Sequence, residues 1–443
     1  MRLAILGGGG FRVPLIYRAL LDDHVEGRIT DVTLYDLDAS RLATIGRVLA
    51  EQAHGMPDAP RVRITTSLDE AIVDADFIFF AIRVRGLEGR AIDERVALAE
   101  GVVGQETVGA GGISYGLRTV PVAVDIAQRI AAIAPGAWVI NFTNPAGLVT
   151  EAMSRHLGDR VIGICDEPVG LGRRVLHALG VQPQAARLDY VGLNHLGWLR
   201  AVRVDGVDHL PRLLADDARL SSFEEGKLFG VDWLRTLGAV PNPYLHYYYF
   251  NREAVAAAQT RGAFLLQQQG RFYSAPDSGP GSAFEAWQRT RQEREATYMA
   301  ENREAAGAGE RDPDDLESGG YEHVALALMR AIARDERTSL ILNVRNRRTL
   351  DSLDYDAVIE VPCTVDAKGA RADIVDPLPP YAVGLVCGVK SVDRAVIEAA
   401  TTGSRSAALR AMATHPLIDS VNVARRLLEA YQRELPELAY LRP

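Results

Sequence analysis

A cysteine and a histidine thirty positions apart each sit in a short motif with an evident chemical use. Cys165 opens "CDEPVG" (165–170), and His195 lies inside "GLNHLGW" (192–198). A thiolate and an imidazole can share one divalent transition metal. Two donors alone make no strong spacing motif, and a bland reading stands beside this one. A cysteine at the end of an apolar strand is often a small buried hydrophobe, and a histidine beside an asparagine is often a hydrogen-bonded core residue. Asp166 fits four roles: ligand, substrate hydrogen-bond partner, acid, or part of a turn with Pro168.

Three further stretches carry chemistry-bearing residues. "NPAG" at 144–147 puts the Asn144 carboxamide where a sugar or a cofactor would sit. "GVVGQETVGAGGISYG" at 101–116 is too rich in glycine for a helix interior and suggests backbone lying close to a ligand. "PNPYLHYYYF" at 241–250 holds four tyrosines, which serve as packing aromatics unless one is chemical.

These residues need a scaffold, and the first 190 positions supply one. Met1 to Leu6 form an apolar run that stops at "GGGG", and "FRVPLIYRALLDD" then places Leu15, Ile16, Ala19 and Leu20 at helical spacing. Strand, glycine loop and helix begin a βαβ unit whose loop backbone approaches a pyrophosphate at the helix N-terminus. Gly7, Gly8 and Gly9 are the candidate cofactor glycines, although Arg12 stands where the full fingerprint has its last glycine. Asp36, ending "DVTLYDLD", is placed to accept from a ribose diol, which favours NAD over a 2′-phosphorylated cofactor.

Strand-like runs continue at "RVRITTS", "DFIFFAI", "AWVINFTN" and "RVIGIC". Their alternation with helical segments predicts an α/β fold with a Rossmann-like, doubly wound parallel sheet. Ligands of such sheets sit at the C-terminal strand ends, where Asn144 and Cys165 fall. Past residue 190 the pattern becomes α+β: strands around "YVGLNHLGWLRAVRVDG" and helices over 320–335 and 389–436. The expected organisation is a nucleotide-binding domain over 1–190 and a substrate, metal and catalytic domain over 191–443, dehydrogenase-like (lactate/malate type) overall. Between 274 and 315 lies a charged region expected to hold an exposed helix with mobile ends.

Composition excludes other classes. The 443 residues exceed a single core, and a net charge of −9 argues against nucleic acid as partner. No apolar run reaches membrane-spanning length. Three cysteines are too few for a disulfide framework, so reduced thiols and a cytoplasmic location are expected.

The chain resembles glycoside hydrolase family 4, the NAD- and metal-dependent 6-phospho-glucosidases and their α-glucosidase and α-galacturonidase relatives. The resemblance is carried by the glycine loop, "IRVRGLEGRAIDE", "GVVGQETVGAGG", "NFTNPAGLVTEA", "GICDEPVG", "GLNHLGW", "PNPYLHYYYF", "TRGA" and "AVIEVPC", which run in the family's order past residue 360. It implies that Cys165 and His195 hold a divalent metal, usually Mn²⁺, and that Tyr244 is the base that takes the sugar C2 proton. It places Arg90 and Asn144 against the substrate and Arg261 near base and metal. It implies oxidation at C3 by NAD, elimination of the aglycone and return of the hydride, in contrast to the two-carboxylate route of most glycosidases. A 6-phospho-β-glucosidase is the expected activity, with a small sugar phosphate as the partner and a dimer or tetramer as the assembly.

Two departures bear on the substrate. Gly10 replaces a serine common in the phosphate-binding members, which leaves Arg12 as the candidate phosphate residue. Asp166 replaces an asparagine found in many β-specific members. A net dehydrogenase and a non-catalytic NAD- and sugar-binding sensor are the rival readings. NADH accumulates with turnover in the first, and no aglycone leaves in the second.

Overall fold

Neighbouring residues along the first strand-like runs face opposite cores. Leu3, Ile5, Phe77 and Phe79 enter one hydrophobic cluster, whereas Ala4, Leu6, Ile78 and Phe80 enter another. Apolar residues on both sides of a strand are what a parallel sheet covered by helices on both faces requires. The computed structural model describes residues 1–256, 261–274, 282–297, 303 and 320–442. Its first strands are β1 (Arg2–Leu6), β2 (Asp31–Tyr35), β3 (Arg61–Thr65), β4 (Phe77–Phe80), β5 (Trp138–Asn141) and β6 (Val161–Gly163). They pair in parallel in the order β3-β2-β1-β4-β5-β6, the strand order of a Rossmann fold.

The sheet does not stop there. The later strands are β7 (Ala186–Leu193), β8 (Leu196–Val204), β9 (Val207–Asp208), β10 (Val240–Pro241), β11 (Thr338–Arg345), β12 (Val358–Asp366) and β13 (Gly369–Ala372). Antiparallel β11 joins β6 through Asn343 and Gly163, and β12, β7, β8 and β10 follow outward. A single sheet therefore carries Cys165, just past β6, and His195, in the tight turn between β7 and β8. The helices Pro380–Thr402, Arg405–Thr414 and Val421–Glu434 then return to the first half. They share the second hydrophobic cluster with the helix Gly109–Ile133. Among the described residues no helix is long and apolar enough to cross a membrane.

That helix corrects one expectation. Gly109, Gly111, Gly112 and Gly116 lie inside it, in a stretch expected to be non-helical. The glycines serve backbone packing: a Cβ on Gly111 would lie 2.1 Å from the carbonyl oxygen of Gln105, and one on Gly112 2.6 Å from the Thr107 carbonyl. The first helical turn thus packs directly on segment 105–107. Gly111→Ala is expected to cost about 1–3 kcal/mol, the usual range for overpacking, read as a lower denaturant midpoint. An unchanged midpoint contradicts the packing argument.

A second correction concerns the charged region. Its helix, Ala283–Ala296, starts with a capping box between Ser282 and Glu285. It is not free in solvent, because Trp287 is buried and its Nε1 donates to the Phe11 carbonyl at 2.8 Å. The ends of the region, expected to be mobile, lie outside the described residues.

Candidate active site

The glycine run turns the chain where β1 and β4 end side by side. Gly7 has φ +89°, and a Cβ there would lie 2.4 Å from the carbonyl oxygen of Ala81, so the position demands glycine. The amides of Gly7 and Gly8 both donate to the Tyr35 carbonyl, at 2.9 and 2.7 Å, and Gly9 donates to Asp36 Oδ2 at 3.1 Å. Gly7 and Asp36 line a large cleft, whereas Gly8 and Gly9 are buried and do not. Aromatic donors from later helices cap the loop's carbonyls. Tyr273 reaches Gly9 at 2.7 Å and Tyr321 reaches Arg12 at 2.8 Å, beside the Trp287 bond to Phe11.

The cleft has a volume of about 600 Å³. Cys165, Asp166 and Asn144 line it from the strand ends, and His195 and Tyr244 line it as well. The His195 and Tyr244 rings stack at 3.7 Å with an interplanar angle of 1°. Tyr244 is seated by its own amide, which donates to Asn242 Oδ1 at 3.1 Å and opens the short 3-10 turn Pro243–Leu245. Tyr247 also faces the cleft, whereas Tyr249 turns away and accepts from Trp198 Nε1 at 3.0 Å. Asn144 lines the cleft, and its buried Oδ1 has no hydrogen-bond partner among the described residues.

Burial sets the protonation of the donor pair. It pushes the Cys165 thiol well above its ordinary range, and the charges of Glu360 and Asp166 push the same way. It pulls His195 down to about 4 despite Glu167 and Glu106, so the imidazole is neutral at pH 7. His195 Nδ1 lies 3.0 Å from the Thr107 hydroxyl, which leaves the second ring nitrogen for a ligand. A neutral imidazole and a thiol that needs a cation to ionise fit a divalent metal. Among the described residues no group of three or more His, Cys, Asp or Glu side chains could hold a metal ion.

The cationic side of the cleft is more crowded than the sequence suggests. Arg90 lines it, but its Nε and Nη1 are held by Glu94 and Glu106, each at 2.7 Å. Burial opposes ionisation of Glu106, yet Arg83 and Arg90 outweigh it and hold the carboxyl below its usual range. Arg12 lies over the Tyr321 ring at 5.1 Å, with Nη1 3.9 Å from Asp166 Oδ2. Burial raises the Asp166 carboxyl against the pull of Arg12. Arg261 starts the helix Arg261–Ser274 and donates from Nη2 to the Arg294 carbonyl at 3.0 Å.

Arg294 also lines the cleft. Burial, with Arg12 and Arg261 nearby, lowers it to about 9. Sequence reasoning missed Arg294, because "QRTRQERE" reads as a solvated charge run. It also passed over Thr107, inside a motif noted only for its glycines, and Glu360, whose signal was an acid within the apolar strand "AVIEVPC".

Comparison with known proteins follows the same lines. Residues 2–181 match the model of "Family 4 glycosyl hydrolase", and residues 190–418 match "Family 4 glycosyl hydrolase C-terminal domain". A relative named "Probable 6-phospho-beta-glucosidase", from Bacillus subtilis, is 31% identical over 99% of this chain and 98% of its own. The 6-phospho-beta-glucosidase of Thermotoga maritima, solved with manganese, NAD⁺ and glucose-6-phosphate, superposes with a TM-score of 0.81. It is 26% identical, with 98% of each chain covered. A 6-phospho-alpha-glucosidase from gut microorganisms, solved with NAD and Mn²⁺, gives a TM-score of 0.80 at 26% identity, covering 98% of this chain and 97% of its own.

Proposed function

The chain belongs to family 4 of the glycosyl hydrolases, and from that premise we propose that it cleaves a 6-phosphorylated β-glucoside by a cycle of oxidation, elimination, addition and reduction. The observation that carries this reading is the meeting of Cys165, His195 and Tyr244 at one cleft beside the glycine loop. The names of the relatives and the three guanidinium groups of Arg12, Arg261 and Arg294 support an anionic sugar.

Bound NAD⁺ supplies an acceptor for the C3 hydride, and a divalent cation supplies polarisation of the C3 oxygen. Cys165 and His195 would hold that cation, and Gly7 and Asp36 would hold the nucleotide. The chain's own chemistry is a proton transfer. A ketone at C3 acidifies the C2 hydrogen; Tyr244 removes it, the C1–oxygen bond breaks, and the aglycone departs. Asp166, with its raised carboxyl, is suited to carry a proton for a departing or entering oxygen. Water adds across C1 and C2, and the reduced cofactor would supply the hydride back to C3, leaving no net redox change. Asn144, Arg90 and Arg261 orient the sugar.

A panel of p-nitrophenyl glucosides tests the substrate, both anomers, with and without the 6-phosphate, in the presence of NAD⁺, Mn²⁺ and a thiol reductant. Release from the 6-phospho-β compound is expected; release from the α anomer alone, or from unphosphorylated compounds alone, overturns the assignment. Arg12→Ala is expected to raise KM about tenfold or more for the phosphorylated substrate, ~1.4 kcal/mol of lost binding, with little change for the unphosphorylated one. Equal losses on both assign Arg12 to the cofactor instead.

A further inference from the structure

We propose that Glu360 is a positioning residue whose single buried carboxylate fixes the turn that carries His195 and the loop that carries Tyr244. The inference rests on the roles proposed above for those two residues. Glu360 lies in β12 between Ile359 and Val361 and is fully buried. Placing a carboxylate in such a strand is costly unless its oxygens are satisfied. Oε1 accepts from Asn343 Nδ2 at 2.8 Å and from Asn194 Nδ2 at 3.2 Å, and Oε2 accepts from the Tyr190 hydroxyl at 3.1 Å.

Each partner leads to the cleft. Asn194 directly precedes His195, whose φ of +62° is an uncommon backbone conformation for a non-glycine residue. The Asn194–Glu360 bond anchors that turn to β12. The Tyr190 hydroxyl accepts from Asn242 Nδ2 at 3.1 Å, and Asn242 Oδ1 accepts from the Tyr244 amide at 3.1 Å. A third arm runs through Asn343, which pairs with Gly163 on β6, two residues before Cys165. A Cβ on Gly163 would lie 2.7 Å from Asn343 Cβ, so the two strands are in close contact there. The two carboxyl oxygens together accept all three donors. Glutamine replaces one oxygen with a donor, so at least one of the three bonds is lost or reversed.

The branching makes the claim testable apart from general core damage. Asn194→Ala cuts only the His195 arm, and Tyr190→Phe cuts only the Tyr244 arm. Manganese affinity is read by electron paramagnetic resonance of free Mn²⁺, and base function by exchange of the substrate C2 proton with deuterated solvent at saturating metal. Asn194→Ala is expected to weaken Mn²⁺ binding about tenfold, as loss of an outer-shell partner commonly does, with exchange intact. Tyr190→Phe is expected to slow exchange about tenfold with Mn²⁺ affinity intact. Glu360→Gln is expected to show at least one of the two effects, and where it weakens the metal, adding Asn194→Ala should weaken it no further. NAD affinity stays at the wild-type value throughout.

If both cuts leave both readouts unchanged, or lower metal affinity, exchange, NAD affinity and Tm together, Glu360 is an ordinary core acid and the inference falls. Should Glu360→Gln fail to fold, the two single-arm variants decide. A wild-type protein that neither binds Mn²⁺ nor exchanges C2 overturns the functional reading itself, a result distinct from any variant effect.

Discussion

Tyr244→Phe is expected to lower kcat about 100-fold or more while NAD binding stays intact, the scale on which a general base contributes. The substitution keeps the ring, its stack on His195 and the amide bond to Asn242, and deletes only the oxygen. A phenol ordinarily ionises near pH ~10, so a base of this type needs positive charge beside it. A metal held by Cys165 and His195 would supply one such charge and Arg261 another; all three residues line the same cleft. The alternative is that Tyr244 and Tyr247 form only an aromatic wall. Stopped-flow kinetics and C2 exchange separate the two. Normal turnover with normal exchange in the variant assigns the base elsewhere.

Cys165→Ser is expected to weaken the metal by more than the ~10–100-fold that loss of an outer-shell partner costs, because a hydroxyl is a poor replacement for a thiolate. Burial and neighbouring acids keep the Cys165 thiol protonated at pH 7, and His195 is neutral there. Metal binding to the wild type should therefore release a proton from the thiol. Titration calorimetry in buffers of different ionisation enthalpy measures it, and the serine variant should release none. Chelation should abolish activity and Mn²⁺ restore it in the wild type. Full chelator-resistant activity in Cys165→Ser contradicts the ligand assignment.

The parallel half of the sheet was legible because its strands announce themselves: "RLAIL" and "FIFF" are apolar on both faces, Gly7 follows the first strand and Asp36 the second. Cys165 and His195 were legible as a pair because both motifs end strands. The stack of Tyr244 on His195 was not, since it depends on Asn242 and the 3-10 turn, which bring a loop fifty residues away onto the β7–β8 turn. Glycine content misled at 109–116. Composition records that glycine is needed without recording whether the close neighbour is a ligand or, as for Gly111, the carbonyl of Gln105. Arg294 was hidden for a related reason: a charged helix reads as exposed until Trp287 is seen to bury one of its faces.

The most direct test of the central claim follows both cofactor and carbon in one reaction. A 6-phospho-β-glucoside is turned over in deuterated water with NAD⁺ and Mn²⁺, and NADH absorbance, aglycone release and deuterium in the sugar product are recorded together. Aglycone released over many turnovers, deuterium at C2 and no matching rise in NADH is the predicted result. NADH that accumulates mole for mole with product, or aglycone released with hydrogen retained at C2, contradicts the account.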